Sequence, residues 1–329
     1  MHGSASRFGS KRAALLRWVA VQAAAAMLGV ALAGGEAVPA GEPRTRVGFS
    51  RRMFTGLNEN DVRAALRSWF QTLMQERPEV RMDPEPMVLD GVGQVVEALR
   101  SGALEAVELT AREYVEVSRR CRLGELFAGA TRGVYEEQFV LVARKADAAF
   151  PPGRKPEGRL IVYDHYRADL AWPWLEIWHR EHGLPRPATG YGRVDRSGRL
   201  AQVVLPVFFG QADACLVTRE GFELMGELNP QVRQRLRIVA ESPRVVPAVL
   251  CFWPESPAAL KEPLIEAVRE LADSEAGRQL LWVFRRDALE EVDPEAMAGT
   301  VALVEAWERL QGTGDGSPSA GADAKAGRP

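Results

Sequence analysis

The residues best suited to grip a small ligand stand at the ends of short apolar runs. Ser50-Arg51-Arg52-Met53-Phe54-Thr55-Gly56 follows the first such run. It brings a hydroxyl (Ser50), two adjacent guanidiniums and an aromatic ring (Phe54) together. Adjacent arginines can clamp a carboxylate or a phosphonate through paired N–H donors, or they can simply be solvated charges. Asp90-Gly91 closes the second run. The third carries Glu108 and ends at Thr110, with Tyr114 in the segment after it, either lining a cleft or packing. Further on, residues 163–178 are unusually aromatic, with Tyr163, Tyr166, Trp172, Trp174 and Trp178. Trp174 and Trp178 share a helix face by their i, i+4 spacing and read as core. Tyr166 and Trp172 precede that helix. With Asp164 and Asp169 they could form an aromatic, acidic pocket that holds a cation by cation–π contact. His165 and Arg167 lie among them and would favour an anion instead.

Other chemistry is absent. His179-Arg180-Glu181-His182 has the i, i+3 histidines of a metal site but no evident third ligand, so it reads as a solvated helix end. No nucleophile–base pair, metal set or Gly-rich phosphate loop stands out. Only Asp164, His165 and Glu108 offer titratable groups near a cleft. The expectation is therefore a binding protein without a cofactor, with an enzyme on the same scaffold and a non-binding structural partner as rival readings.

One pattern occurs twice in register and says how these residues are positioned. Gln94-Val95-Val96, Gly102, Glu105-Ala106 and Thr110 match Gln202-Val203-Val204, Gly210, Asp213-Ala214 and Thr218. Each copy reads as an apolar helix ending at Gly, an acidic residue, and an apolar strand ending at Thr. Glycine takes the left-handed conformation past a helix end, and uniformly apolar strands suit a parallel sheet covered on both faces. The recurrence of an acid, Glu105 then Asp213, argues for a role in the fold. Two such units predict an α/β chain of two lobes, each a mostly parallel sheet flanked by helices, with Thr110 and Thr218 on opposite walls of a cleft at the strand ends.

The chain has 329 residues, 46% of them hydrophobic, enough for two cores. Residues 1–33 read as a secretion signal: Arg7, Lys11, Arg12 and Arg17 precede an apolar run, and Ala31-Leu32-Ala33 is a small-x-small cleavage site, with Val38-Pro39-Ala40 as a later alternative. Gly35 stands where a lipoprotein would carry its Cys. Without those four basic residues the balance is 38 Lys+Arg (42 − 4) against 44 Asp+Glu, or −6, which argues against nucleic acid as a partner. Cys121, Cys215 and Cys251 are an odd set. Cys215 and Cys251 read as buried thiols, and a disulfide between them stays open.

Periodicity predicts strands at 45–50, 80–88 and 104–110 with helices at 61–77 and 91–101, a βαβαβ order. A strand at 137–144 could cross between lobes, and 151–158 is a surface loop. The second lobe is expected to start with a strand at 160–164 and a helix at 173–182. A helix at 199–209 is kinked by Pro206, and 214–218 is the matching strand. Residues 237–253 return to the first lobe, making a hinge of two crossovers, and 257–310 is mostly helix. The expected boundaries are 44–145 for the first part of lobe one, 146–245 for lobe two, 246–310 for its return, and 311–329 for a polar tail.

Several stretches then resemble a known family: Ala98-Leu99-Arg100-Ser101-Gly102 with Ala106, Gly210-Gln211-Ala212-Asp213-Ala214, Leu236-Arg237-Ile238-Val239-Ala240-Glu241-Ser242-Pro243 and Gly277-Arg278-Gln279-Leu280-Leu281. The chain resembles periplasmic substrate-binding proteins of the type II fold, in the phosphate/phosphite/phosphonate branch of ABC transporters, from about residue 47 to residue 292. The resemblance implies a monomeric periplasmic protein that captures a small ligand by hinge closure and delivers it to a permease and ATPase on other chains. The same fold also serves as the input module of a membrane sensor kinase or cyclase. In the family a Ser/Thr-rich loop ending in Ser-Gly holds the anionic head. Here that pair falls at Ala168-Asp169, so the resemblance leaves the ligand open.

Overall fold

The computed structural model describes residues 44–147 and 158–312. The expected secretion signal, nearly all of the 151–158 loop, and the tail beyond residue 312 lie outside the described residues. β1 (Val47–Ser50) is buried along its whole length. After a 3-10 turn over Arg51–Phe54, α1 (Glu59–Glu76) begins where the Asn58 side chain accepts the Asn60 N–H and Glu59 and Asp61 meet the positive helix end. Val62, Leu66, Trp69, Phe70 and Leu73 form its buried stripe. β2 (Met87–Leu89) is shorter than expected because Pro84 and Pro86 interrupt the run, leaving an isolated Thr45–Met82 bridge ahead of it.

α2 (Val92–Arg100), β3 (Ala106–Thr110) and α3 (Ala111–Ser118) complete this first unit. β4 (Leu126–Ala130), β5 (Phe139–Arg144) and β6 (Arg159–Tyr163) follow. Next come α4 (Ala171–Glu181), the short α5 (Pro187–Gly190) and β7 (Arg193–Ser197). α6 (Leu200–Phe208) runs through Pro206 and leads into β8 (Ala214–Thr218), α7 (Arg219–Leu228) and α8 (Pro230–Arg235). β9 (Leu236–Glu241) and β10 (Ala248–Phe252) precede α9 (Ala258–Arg269), α10 (Glu275–Val283), β11 (Ala288–Val292) and α11 (Ala298–Gly312). The stretch expected to be mostly helix is thus interrupted by β11, and α11 takes in two residues assigned to the tail.

The strands form two sheets, ordered β11-β4-β10-β3-β1-β2 and β7-β6-β8-β5-β9. In each, three parallel strands (β2, β1, β3; β7, β6, β8) meet one antiparallel strand, β10 or β5. β5 belongs wholly to the second sheet, so the first crossing lies at 131–138, earlier than the expected boundary at 145. Its Phe139-Val140-Leu141-Val142-Ala143 run is fully buried between β8 and β9, and uniform apolarity carries no mark of which sheet it joins. The return crossing lies at 242–247. The two crossings are tied by paired Glu137 and Val245 backbone bonds (2.7 and 2.9 Å), which makes a two-stranded hinge. Both sheets belong to one compact unit.

The repeat is structural. α2-β3-α3 and α6-β8-α7 are matching units, and Gly102 and Gly210 both take positive φ (66° and 74°) at the helix ends. Glu105 accepts the Arg46 N–H (2.5 Å) at the approach to β1, and Asp213 accepts the Arg159 N–H (2.7 Å) at the start of β6. The recurring acid therefore fastens the neighbouring parallel strand in each lobe. Cys121, Cys215 and Cys251 are all free, buried thiols.

Candidate functional site

The carboxyl ends of β1 and β3 face those of β6 and β8 across the gap between the sheets. In the first lobe Ser50 Oγ donates to Glu113 Oε1 (2.6 Å) and Thr110 Oγ1 donates to Glu113 Oε2 (3.0 Å). The Thr110 N–H also reaches Glu113 Oε2 (3.3 Å), so Glu113, only 3% exposed, completes a capping box at the start of α3. Both hydroxyls expected to meet ligand are thus engaged by one protein carboxylate. Arg51 pairs with Asp90 and with Glu59 (3.4 Å) on the exposed rim, so two further predicted residues meet each other. Phe54 packs into the core beside Phe49, and Tyr114 is also buried in a core cluster. Thr218 is buried and caps α7 by accepting the Gly221 N–H (3.1 Å).

The second lobe presents the stretch 164–169. Tyr166 reaches across: its OH donates to the Phe284 carbonyl (3.1 Å), its N–H donates to the Thr55 carbonyl (3.0 Å), and its ring packs with Met53 and Ala248. Arg167 is clasped by Glu137 (2.5 Å) and Glu220, so its charge is balanced within the hinge region. His165 sits between Tyr163 (5.1 Å, stacked) and Tyr166 (4.6 Å). Burial, with neighbouring arginines, pushes its pKa down to about 3. Its Nδ1 accepts the Arg167 N–H (3.3 Å), so Nε2 carries the proton of the neutral ring, and this buried N–H has no partner. Asp169 pairs with Arg52 (3.2 Å) across the lobes, and Arg52 also approaches Glu113 (3.9 Å).

Beside this closed seam is a pocket of about 290 Å³, at the small end of ligand sites. Tyr166, Trp172, Asp164 and Asp169 all line it, so the four residues expected to share a pocket do so. Three residues not singled out join them: Arg112 from α3, Arg196 from β7 and Trp307 from α11. Arg196 lies over the Trp172 ring (5.0 Å) and Arg112 over Trp307 (5.7 Å). Among the described residues neither guanidinium has a carboxylate or hydrogen-bond partner. Both indole N–H groups donate to the Glu176 carboxylate (3.1 and 2.6 Å). Arg112 was within reach of sequence reasoning, two positions past Thr110 at a helix start; Trp307 carried no signal.

Among the described residues no His/Cys/Asp/Glu group could hold a metal. His179 is buried rather than solvated, with Nδ1 2.6 Å from the Pro185 carbonyl, and His182 bonds the Trp178 carbonyl (2.8 Å). No described helix is long and apolar enough to cross a membrane.

A family model for the ABC transporter, phosphonate, periplasmic substrate-binding protein matches residues 54–297. The chain belongs to this family. Its members are periplasmic proteins that bind small molecules for transport and are not enzymes. Solved structures with the same fold include a Xanthomonas citri protein bound to ATP (14% identity, TM-score 0.57, 82% of this chain and 99% of that one). A binding component of a Pseudomonas aeruginosa ABC phosphonate transporter is similar too (13%, 0.56, 82% and 88%). So is Prochlorococcus marinus PhnD1 in complex with methylphosphonate (13%, 0.54, 82% and 99%). No curated protein matches.

Proposed function

We propose that this chain is an exported solute-binding protein that captures a small anion between its lobes by hinge closure and delivers it to an ABC permease. The observation that carries the reading is the set of guanidiniums around one pocket: Arg52 and Arg112 from the first lobe, Arg196 from the second. A ligand touching both lobes selects the closed form. Two of these arginines have no carboxylate to neutralise them, and the His165 N–H supplies a further buried donor. The same contacts weigh against an amine, because the Trp172 and Trp307 faces already carry arginines. Asp164 and Asp169 select against highly charged anions.

Thermal unfolding against phosphate, methylphosphonate, ATP, carboxylates and quaternary amines tests this. An anion is expected to stabilise the protein, by about 2.7 kcal/mol at a hundredfold excess over Kd. Arg112→Ala and Arg196→Ala should each weaken it about tenfold or more, as loss of charge-assisted bonds does. Stabilisation by amines alone would overturn the anion assignment.

The seam favours a second reading, a periplasmic input protein for a membrane sensor kinase or cyclase. Tyr166 and the Arg52–Asp169 pair bring the lobes together through the protein's own side chains, and Glu113 occupies the first-lobe hydroxyls. Permease and ATPase genes beside this one would favour transport; a histidine kinase or cyclase gene would favour sensing.

A further inference from the structure

The second copy of the repeat shows what the fold itself requires at β3. Glu108 aligns with Leu216, a fully buried residue of β8, at the constant offset of the repeat. An apolar side chain satisfies the lobe there, yet the first lobe carries a carboxyl flanked by Phe49 and Leu250 in the sheet. Glu108 keeps some accessible surface and lines a cavity of about 70 Å³. Phe49, Trp69, Leu264 and Leu281 contribute apolar wall, while Arg286 and Phe284 lie at the same cavity. Tyr166 is the one lining residue that the second lobe contributes. Among the described residues the Glu108 carboxyl has no hydrogen-bond partner, and a carboxyl set among apolar walls without one is costly.

We infer that this first-lobe cavity is a second binding site, sharing only Tyr166 with the arginine pocket, for a compact uncharged molecule with an apolar body and one carbonyl or hydroxyl oxygen. Charge decides the class. Burial pushes the Glu108 carboxyl up to about 8, so at neutral pH it carries a proton it can donate. Arg286 stands nearby and is itself buried, which excludes a cation. An anion is disfavoured because Arg286 already faces Glu220 (3.9 Å) and the remaining walls are largely apolar. Size follows from volume: at ~10–15 Å³ per water site, the cavity takes roughly five or six non-hydrogen atoms.

The test is titration of the full chain with cyclopentanone and isobutyramide, read by calorimetry and thermal unfolding, with methylphosphonate in parallel. Saturable binding of either neutral probe is expected. It should be abolished by Ala248→Leu, which fills the cavity, retained in Glu108→Gln, which keeps a donor, and weakened about tenfold in Glu108→Leu. Leu264→Phe serves as a second filling variant should Ala248→Leu fail to fold. The methylphosphonate response should be the same in Glu108→Gln, Glu108→Leu and Leu264→Phe, none of which lines the arginine pocket, whereas Ala248→Leu lies against Tyr166 and is read with the neutral probes alone. No saturable binding of either probe, or binding that survives both filling variants, overturns the inference whatever methylphosphonate does.

Discussion

Ser50 and Thr110 stand where the first lobe offers hydroxyls to a ligand, and Glu113 holds both. Glu113→Ala should release them and remove a cap, costing about 1 kcal/mol in urea unfolding, while raising affinity for methylphosphonate. Unchanged or weaker phosphonate binding in a folded variant would mean that the Glu113 carboxylate does not compete with ligand. Two buried titratable groups give a second prediction. The Glu108 carboxyl moves from 4.5 to about 8 through burial, and the His165 ring from 6.5 to about 3 through burial and nearby arginines. Between pH 4.5 and 8 the unfolded chain releases the Glu108 proton that the fold retains, so this group lowers stability as pH rises. Below 6.5 the unfolded chain takes a proton that buried His165 refuses, so that group lowers stability as pH falls. The two slopes oppose each other from 4.5 to 6.5, and only Glu108 acts from 6.5 to 8. Glu108→Gln should therefore gain on the wild type, by an amount that grows towards pH 8 and reaches on the order of a few kcal/mol. Parallel stability profiles for the two proteins would remove the assignment. Sequence could name Glu108, His165, Tyr166 and Asp169 as chemically interesting, because their types are unusual in apolar or aromatic stretches. It could not give their partners, since Arg286 and Phe284 arrive from more than a hundred residues away.

At the level of elements, what was legible was what repeats. The Gly–acid–strand–Thr pattern located α2-β3 and α6-β8 because each position has a distinct physical duty: a left-handed turn, a strand fastener, a helix cap. Gly102 tests the first duty cleanly, because a Cβ there would meet nothing within 4 Å. Gly102→Ala should lose about 1–2 kcal/mol from its backbone conformation alone, seen as a lower urea midpoint with an unchanged slope. A midpoint equal to the wild type would mean that the turn relaxes to an ordinary conformation. β7 and β11 were not legible. Arg193-Val194-Asp195-Arg196-Ser197 and Ala288-Leu289-Glu290-Glu291-Val292 lie at sheet edges, where a polar strand looks like a loop. That blind spot hid Arg196, one of the pocket arginines. The chain's path between sheets was misread at β5 for the opposite reason, because a strand buried on all sides carries no directional pattern.

At the scale of the whole molecule, the question is what holds the lobes together. The Arg52–Asp169 pair joins them, but Arg52 is half exposed, so the pair is worth less than about 1 kcal/mol. α11 packs against both α3 and α4, with Glu308 bidentate to Arg119 on one side and Gln311 and Trp307 bonded to Glu176 on the other. Tyr166 is the deeper anchor, buried, hydrogen-bonded and seated against Met53 and Ala248. Burying a large aromatic side chain contributes several times what an exposed ion pair does. Closure should therefore depend on Tyr166 far more than on Asp169. Asp169→Ala is expected to leave small-angle scattering unchanged, whereas Tyr166→Ala should raise the radius of gyration. An anion added to Tyr166→Ala should bring that radius back down, since a ligand gripped by Arg52 and Arg112 on one side and Arg196 on the other supplies the closure that the tyrosine no longer does. Its apparent affinity should fall by the fraction of molecules left closed. A Tyr166→Ala protein that scatters like the wild type would assign closure to α11 instead, and cutting its Glu176 contacts would then become the variant that opens the cleft.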